Sequence, residues 1–80
     1  MMFKKSGKEL RESVESRIAQ LREETQDAMA RFEREKEKAA LQRTAELELT
    51  IKRLERILRH VTTDQSYELT EQDLEDFGFE

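Results

Sequence analysis

From Lys8 to Val61 the chain contains neither proline nor glycine, and strong helix formers dominate the stretch. No other feature limits the possible folds as tightly. A helix of this length has one apolar stripe, and the stripe must be buried for the helix to be stable in water. At roughly 100° per residue, most of the apolar positions from Leu10 through Val61 fall within an arc of roughly 140°. Val14, Ile18, Leu21, Ala28, Phe32, Ala40, Leu47, Ile51, Leu54 and Leu58 mark it. Its period over the whole length is nearer roughly 3.6 than 3.5 residues, which argues against one tightly supercoiled seam.

The start of the helix is legible. Ser6-Gly7-Lys8-Glu9 has the spacing of a capping box, in which the serine hydroxyl and the glutamate carboxylate each bond the other's backbone amide. The pairs Glu48/Lys52 and Glu55/Arg59 are in the favourable i,i+4 order. The predicted fold class is therefore all-α. One long amphipathic helix over about 7–61 assembles as a coiled-coil-like or helical-bundle oligomer, in the first instance a homodimer. The interface residues expected from the stripe are Ile18, Leu21, Phe32, Leu47, Ile51, Leu54 and Leu58.

A helical hairpin with a turn near 34–38 is the alternative. Glu33-Arg34-Glu35-Lys36-Glu37-Lys38 is an unbroken run of charges in which the stripe loosens. Residues equidistant from Lys36 match across it: Val14 with Leu58, Ile18 with Leu54, Leu21 with Ile51, Phe32 with Ala40. A hairpin makes these pairs, and so do two straight chains crossing antiparallel. Against a turn stands the absence of the usual turn residues. Leu41, Ala45 and Leu49 lie off the main arc, at i, i+4 and i+8. They form a second apolar strip that two packed helices leave wet, so a third helix, a second dimer or the tail is expected to cover it.

Charge divides the chain of 80 residues in two. All 15 bases lie in residues 1–63, a mildly basic helical body; residues 64–80 hold seven carboxylates and no base. The boundary is the breaker cluster Thr62-Thr63-Asp64-Gln65-Ser66. The acidic tail also carries Tyr67, Phe77 and Phe79, which a purely solvating tail would lack. Thr70-Glu71-Gln72-Asp73 resembles a capping box, Leu69 and Leu74 have staple spacing, and Gly78 stands where a helix-ending glycine belongs. A short acidic helix over about 71–77 follows. It is too short to be stable alone. Its apolar side must dock, either on the basic helix end or in a basic, apolar groove of another protein. The residues expected to make that contact are Tyr67, Leu69, Leu74, Phe77 and Phe79.

Catalytic chemistry is absent from the pattern. There is no cysteine, and His60 is the single histidine. No Ser, His and Asp form a nucleophile motif, and no Glu-x-x-His repeat supplies a di-metal site. Asp73 to Gly78 imitates the start of a calcium loop but lacks the twelfth-position glutamate. No cofactor and no metal are expected, and the chain is read as a non-enzyme. Lys52, Arg53, Arg56 and Arg59 form a basic patch. The overall charge of −4 makes nucleic acid the weaker expectation for it. No window is apolar enough to span a membrane. No signal-like apolar run follows Met1-Met2-Phe3-Lys4-Lys5, so a cytoplasmic location is expected. The functional expectation is a protein–protein interaction module, a small homo-oligomeric inhibitor or adaptor. Its tail locks the assembly or docks on a partner. Alternatives are a nucleic-acid accessory protein using 52–60, or a purely structural scaffold.

Overall fold

A computed structural model describes residues 1–79. In chain order the elements are β1 (Phe3–Ser6), α1 (Gly7–Glu35), α2 (Lys38–His60), β2 (Ser66–Leu69) and α3 (Glu71–Asp76). The single helix over 7–61 is thus corrected to two, and the arrangement is the hairpin-like alternative. The break is local. Lys36 adopts the left-handed conformation (φ 58°, ψ 32°) and its amide donates to the Phe32 carbonyl at 2.7 Å. Glu37 is extended and α2 starts at the next residue. A non-glycine residue in that conformation costs about 1–2 kcal/mol. Burying one leucine, isoleucine or valine contributes about 1.5–3 kcal/mol. Folding the stripe onto itself buries many of them at once, so the turn forms without a customary turn residue. The Lys36 ammonium also stands 5.8 Å from the centre of the Phe32 ring.

The core runs along the seam between the helices: Leu10, Val14, Ile18 and Leu21 from α1, and Leu47, Ile51 and Leu54 from α2, closed at the base by Val61 and Leu69. Near the turn the seam narrows to small side chains. Thr25 and Thr44 are buried there, their hydroxyls donating to the carbonyls of Leu21 (2.7 Å) and Ala40 (3.0 Å). Each threonine therefore brings a methyl to the seam without an unpaired oxygen. Arg43 pairs with Glu24 at 3.4 Å and Arg22 with Glu55 at 3.7 Å across the seam. All four side chains are largely exposed, so these pairs set register more than stability.

The open end of the hairpin corrects the all-α expectation. β1 and β2 form a two-stranded antiparallel sheet with Phe3 opposite Leu69, Lys4 opposite Glu68, Lys5 opposite Tyr67 and Ser6 opposite Ser66. These strands carry little alternation that could announce them. They pair because the hairpin brings the two ends of the body together. Gly7 extends the contact, its amide donating to the Gln65 carbonyl at 2.6 Å. A Cβ at Gly7 would collide with the Thr62 carbonyl, so the first turn of α1 approaches the 62–65 loop at a distance only glycine permits.

Both capping boxes form as expected. The Ser6 hydroxyl accepts from the Glu9 amide, and the Thr70 hydroxyl accepts from the Asp73 amide, each at 3.1 Å. The short acidic helix is present, ending one residue before the expected 71–77 boundary. Gly78 follows at φ 86°, letting the Phe79 amide reach back to the Leu74 carbonyl at 2.8 Å.

Candidate functional site

The residues expected at an oligomer interface have found partners inside one chain. Ile18, Leu21, Leu47, Ile51 and Leu54 are buried in the hairpin seam. Leu58 is half-buried and packs against the same core; Phe32 is half-buried next to the turn. Within one chain, the two halves of the stripe therefore face each other. A turn at Lys36 lets one half of the stripe satisfy the other, with no loss of translational freedom.

The tail residues also face inward. Leu69 is 6% exposed and belongs to the core. Tyr67, Leu74, Phe77 and Phe79 are partly buried against it. The Tyr67 hydroxyl accepts from the Thr62 amide at 2.9 Å. The Lys5 ammonium lies 5.2 Å from the Phe79 ring centre. The Ser13 hydroxyl donates to the Phe77 carbonyl at 2.7 Å. Of the two receivers expected for the tail, the structure seats it on the chain's own body.

The basic patch stays outside. Lys52, Arg53, Arg56 and Arg59 are all exposed, and among the described residues none is within ion-pair distance of a carboxylate. Two clefts flank their helix. One, of about 400 Å³, lies between the end of α2 and β2, lined by Leu10, Ile57, Tyr67 and Phe77 and by the charged or polar side chains of Arg56, His60, Glu68 and Asp73. The other, of about 350 Å³, sets Arg17 and Arg53 across from Glu75 and Asp76 of α3.

The apolar strip off the main arc is uncovered. Leu41 is 52% exposed and Leu49 is 66% exposed, with exposed Ala45 between them. Ala40, Thr44, Leu47, Ile51 and Leu54 turn toward α1, which leaves Ala45 on roughly the opposite side of α2. The tail, one of the covers expected for this strip, packs elsewhere. Within roughly 60° of Ala45 on the helical wheel, α2 also carries Lys38, Gln42, Glu48, Lys52, Arg56, Arg59 and His60. The face reads apolar in its first half and basic in its second.

Among the contacts that escaped the sequence reading, two tie α1 side chains to distant backbone carbonyls. The Arg11 guanidinium donates to the carbonyls of Leu58 (3.2 Å) and Val61 (3.4 Å), capping the C-terminal end of α2 from α1. The other is the Ser13–Phe77 bond. Both join residues far apart in sequence, and no local spacing announces them. Among the described residues no three of His, Cys, Asp and Glu gather in a metal-binding group, and no helix is long and apolar enough to cross a membrane.

Fold and surface define a small helical hairpin closed at its open end by a strand pair and a docked acidic helix. Comparison with protein-family models, with curated proteins and with solved structures finds no match to this chain.

Proposed function

We propose that the chain is a non-enzymatic protein-interaction module, an adaptor or inhibitor that binds through the outer face of α2. One observation carries this reading. Leu41 and Leu49 stand on the solvent side of a helix whose other large apolar residues, and whose neighbouring tail aromatics, are packed against the body. A single exposed leucine is ordinary, but two at helical spacing on either side of an alanine form a ridge that a partner can dehydrate. In this reading the tail is an internal brace. Its carboxylates keep the module soluble while its aromatic residues close the base of the hairpin.

The test is site-specific photocrosslinking in cells that express the chain naturally. Ala45 is replaced by p-benzoylphenylalanine, and Gln20, exposed on α1, serves as the control position. A discrete protein adduct from position 45 and not from position 20 is expected. No adduct, or the same adducts from both positions, rejects this face.

A second reading has its own support in the exposed bases Lys52, Arg53, Arg56 and Arg59, none within ion-pair distance of a carboxylate among the described residues. If they hold nucleic acid, a duplex shifts at low salt, the shift fades as salt rises, and Arg53→Ala/Arg56→Ala removes it.

A further inference from the structure

The outer face of α2 also has a sign. Lys38, Lys52, Arg56 and Arg59 lie on it or at its margin, and Glu48 is the one acid of α2 within the same arc. None of the four bases is within ion-pair distance of a carboxylate among the described residues. The tail carboxylates lie along one flank of the helix, where Glu68 and Asp73 line the cleft that Arg56 also borders and Glu75 and Asp76 face Arg17 and Arg53. We propose that the occupant of this face is an acidic amphipathic helix of another protein. Its apolar ridge packs on Leu41, Ala45 and Leu49, and its carboxylates meet Lys52, Arg56 and Arg59.

The geometry favours this occupant over the others. Ala45 at the centre of the ridge is small, so a second helix backbone can approach closely between the two leucines. A second copy of this chain crossing at Ala45 sets Lys38 against Lys52 when antiparallel, and each base against itself when parallel, so like charges meet in both orientations. Its own acidic helix cannot serve in trans without leaving the core, because Leu74 and Phe77 are packed there. Nucleic acid would use the bases and leave both leucines wet. A lipid surface would gain only two large apolar side chains, too little for a stable anchor without further apolar area.

This inference rests on the reading of α2 as the interaction face, and its test separates the two. A displayed library of helical peptides, randomised at its surface positions, is selected on the full-length chain and counter-selected on the Leu41→Asp/Leu49→Asp variant. Both leucines are exposed, so the variant is expected to keep the wild-type helical circular dichroism. Selected peptides are expected to be rich in Asp and Glu beside an apolar stripe. Their affinity, read by fluorescence anisotropy, is expected to fall at least about tenfold with Leu49→Asp and again with Lys52→Glu/Arg56→Glu, and to weaken with salt.

Four results overturn the proposal. Selected peptides could be basic or neutral. Binding could survive Leu49→Asp. Duplex DNA, or phosphatidylcholine vesicles containing phosphatidylglycerol, could bind the full chain through the same residues more tightly than the best peptide. Sedimentation could show a dimer that Leu49→Asp dissociates. A discrete adduct from position 45 combined with basic peptides rejects the acidic helix but keeps the interaction face. No adduct and no leucine-dependent peptide reject both.

Discussion

The Ser13 hydroxyl donates a hydrogen bond of 2.7 Å to the carbonyl of Phe77, tying the second turn of α1 to the end of α3 across almost the whole chain. Beyond β2, whose backbone pairs with β1, it is the side-chain hydrogen bond that joins the end of the tail to the body among the described residues. Around it Leu74, Phe77 and Phe79 supply apolar contact, so among the described residues α3 is held to the body by packing with one hydrogen-bonded anchor.

Ser13→Ala removes that anchor and leaves a carbonyl that water can reach. The expected loss is about 0.5–1.5 kcal/mol of stability by urea unfolding. Faster hydrogen exchange is expected at the amides of Leu74, Phe77 and Phe79, with that of α1 unchanged. A uniform rise across the molecule would contradict the local role.

Lys36→Gly discriminates the hairpin from an unbroken helix. At a left-handed position glycine removes an unfavourable conformation, so a gain of about 0.5–1 kcal/mol is expected, less the lost contact with Phe32. Inside a continuous helix the same change would cost about 1 kcal/mol. The sign of the shift in urea midpoint decides.

Gly7→Ala runs the opposite way. Helix propensity alone predicts stabilisation. The Thr62 carbonyl occupies the place of the new methyl group, and backbone cannot step aside as a side chain can. A loss of about 1–3 kcal/mol in thermal or urea unfolding is expected. A gain in stability would show that the close approach of α1 to the 62–65 loop is absent.

Leu54→Ala opens a cavity in the middle of the seam. The expected loss is about 2–5 kcal/mol, without change in the mass read by light scattering. A drop from dimer to monomer would instead place Leu54 between chains.

The residues of the core were legible from periodicity. Every buried apolar position from Leu10 to Leu54 lies on the stripe, and the pairing about Lys36 anticipated the hairpin as an alternative. Both capping boxes were legible too, because capping depends on residues three apart. Which of two packings the stripe adopts was not legible. Intrachain and interchain pairing bury the same residues, and the choice turns on whether one lysine can enter a left-handed turn. The two strands had no local signal: Phe3–Ser6 and Ser66–Leu69 become strands only when the hairpin presents each to the other.

For the binding surface the division is similar. Leu41, Ala45 and Leu49 are visible in the sequence as a strip off the main arc, and Lys52 to Arg59 as a basic run. That the tail would pack along one flank of α2 and leave the strip bare depends on where Leu69 and Phe77 find apolar contact. Short-range spacing determined the helices, their caps and their inner faces, since those follow from neighbours within one or two turns. The reversal at Lys36, the strand pair and the seat of the acidic helix were decided by tertiary structure, because each exists only where distant segments bury surface together.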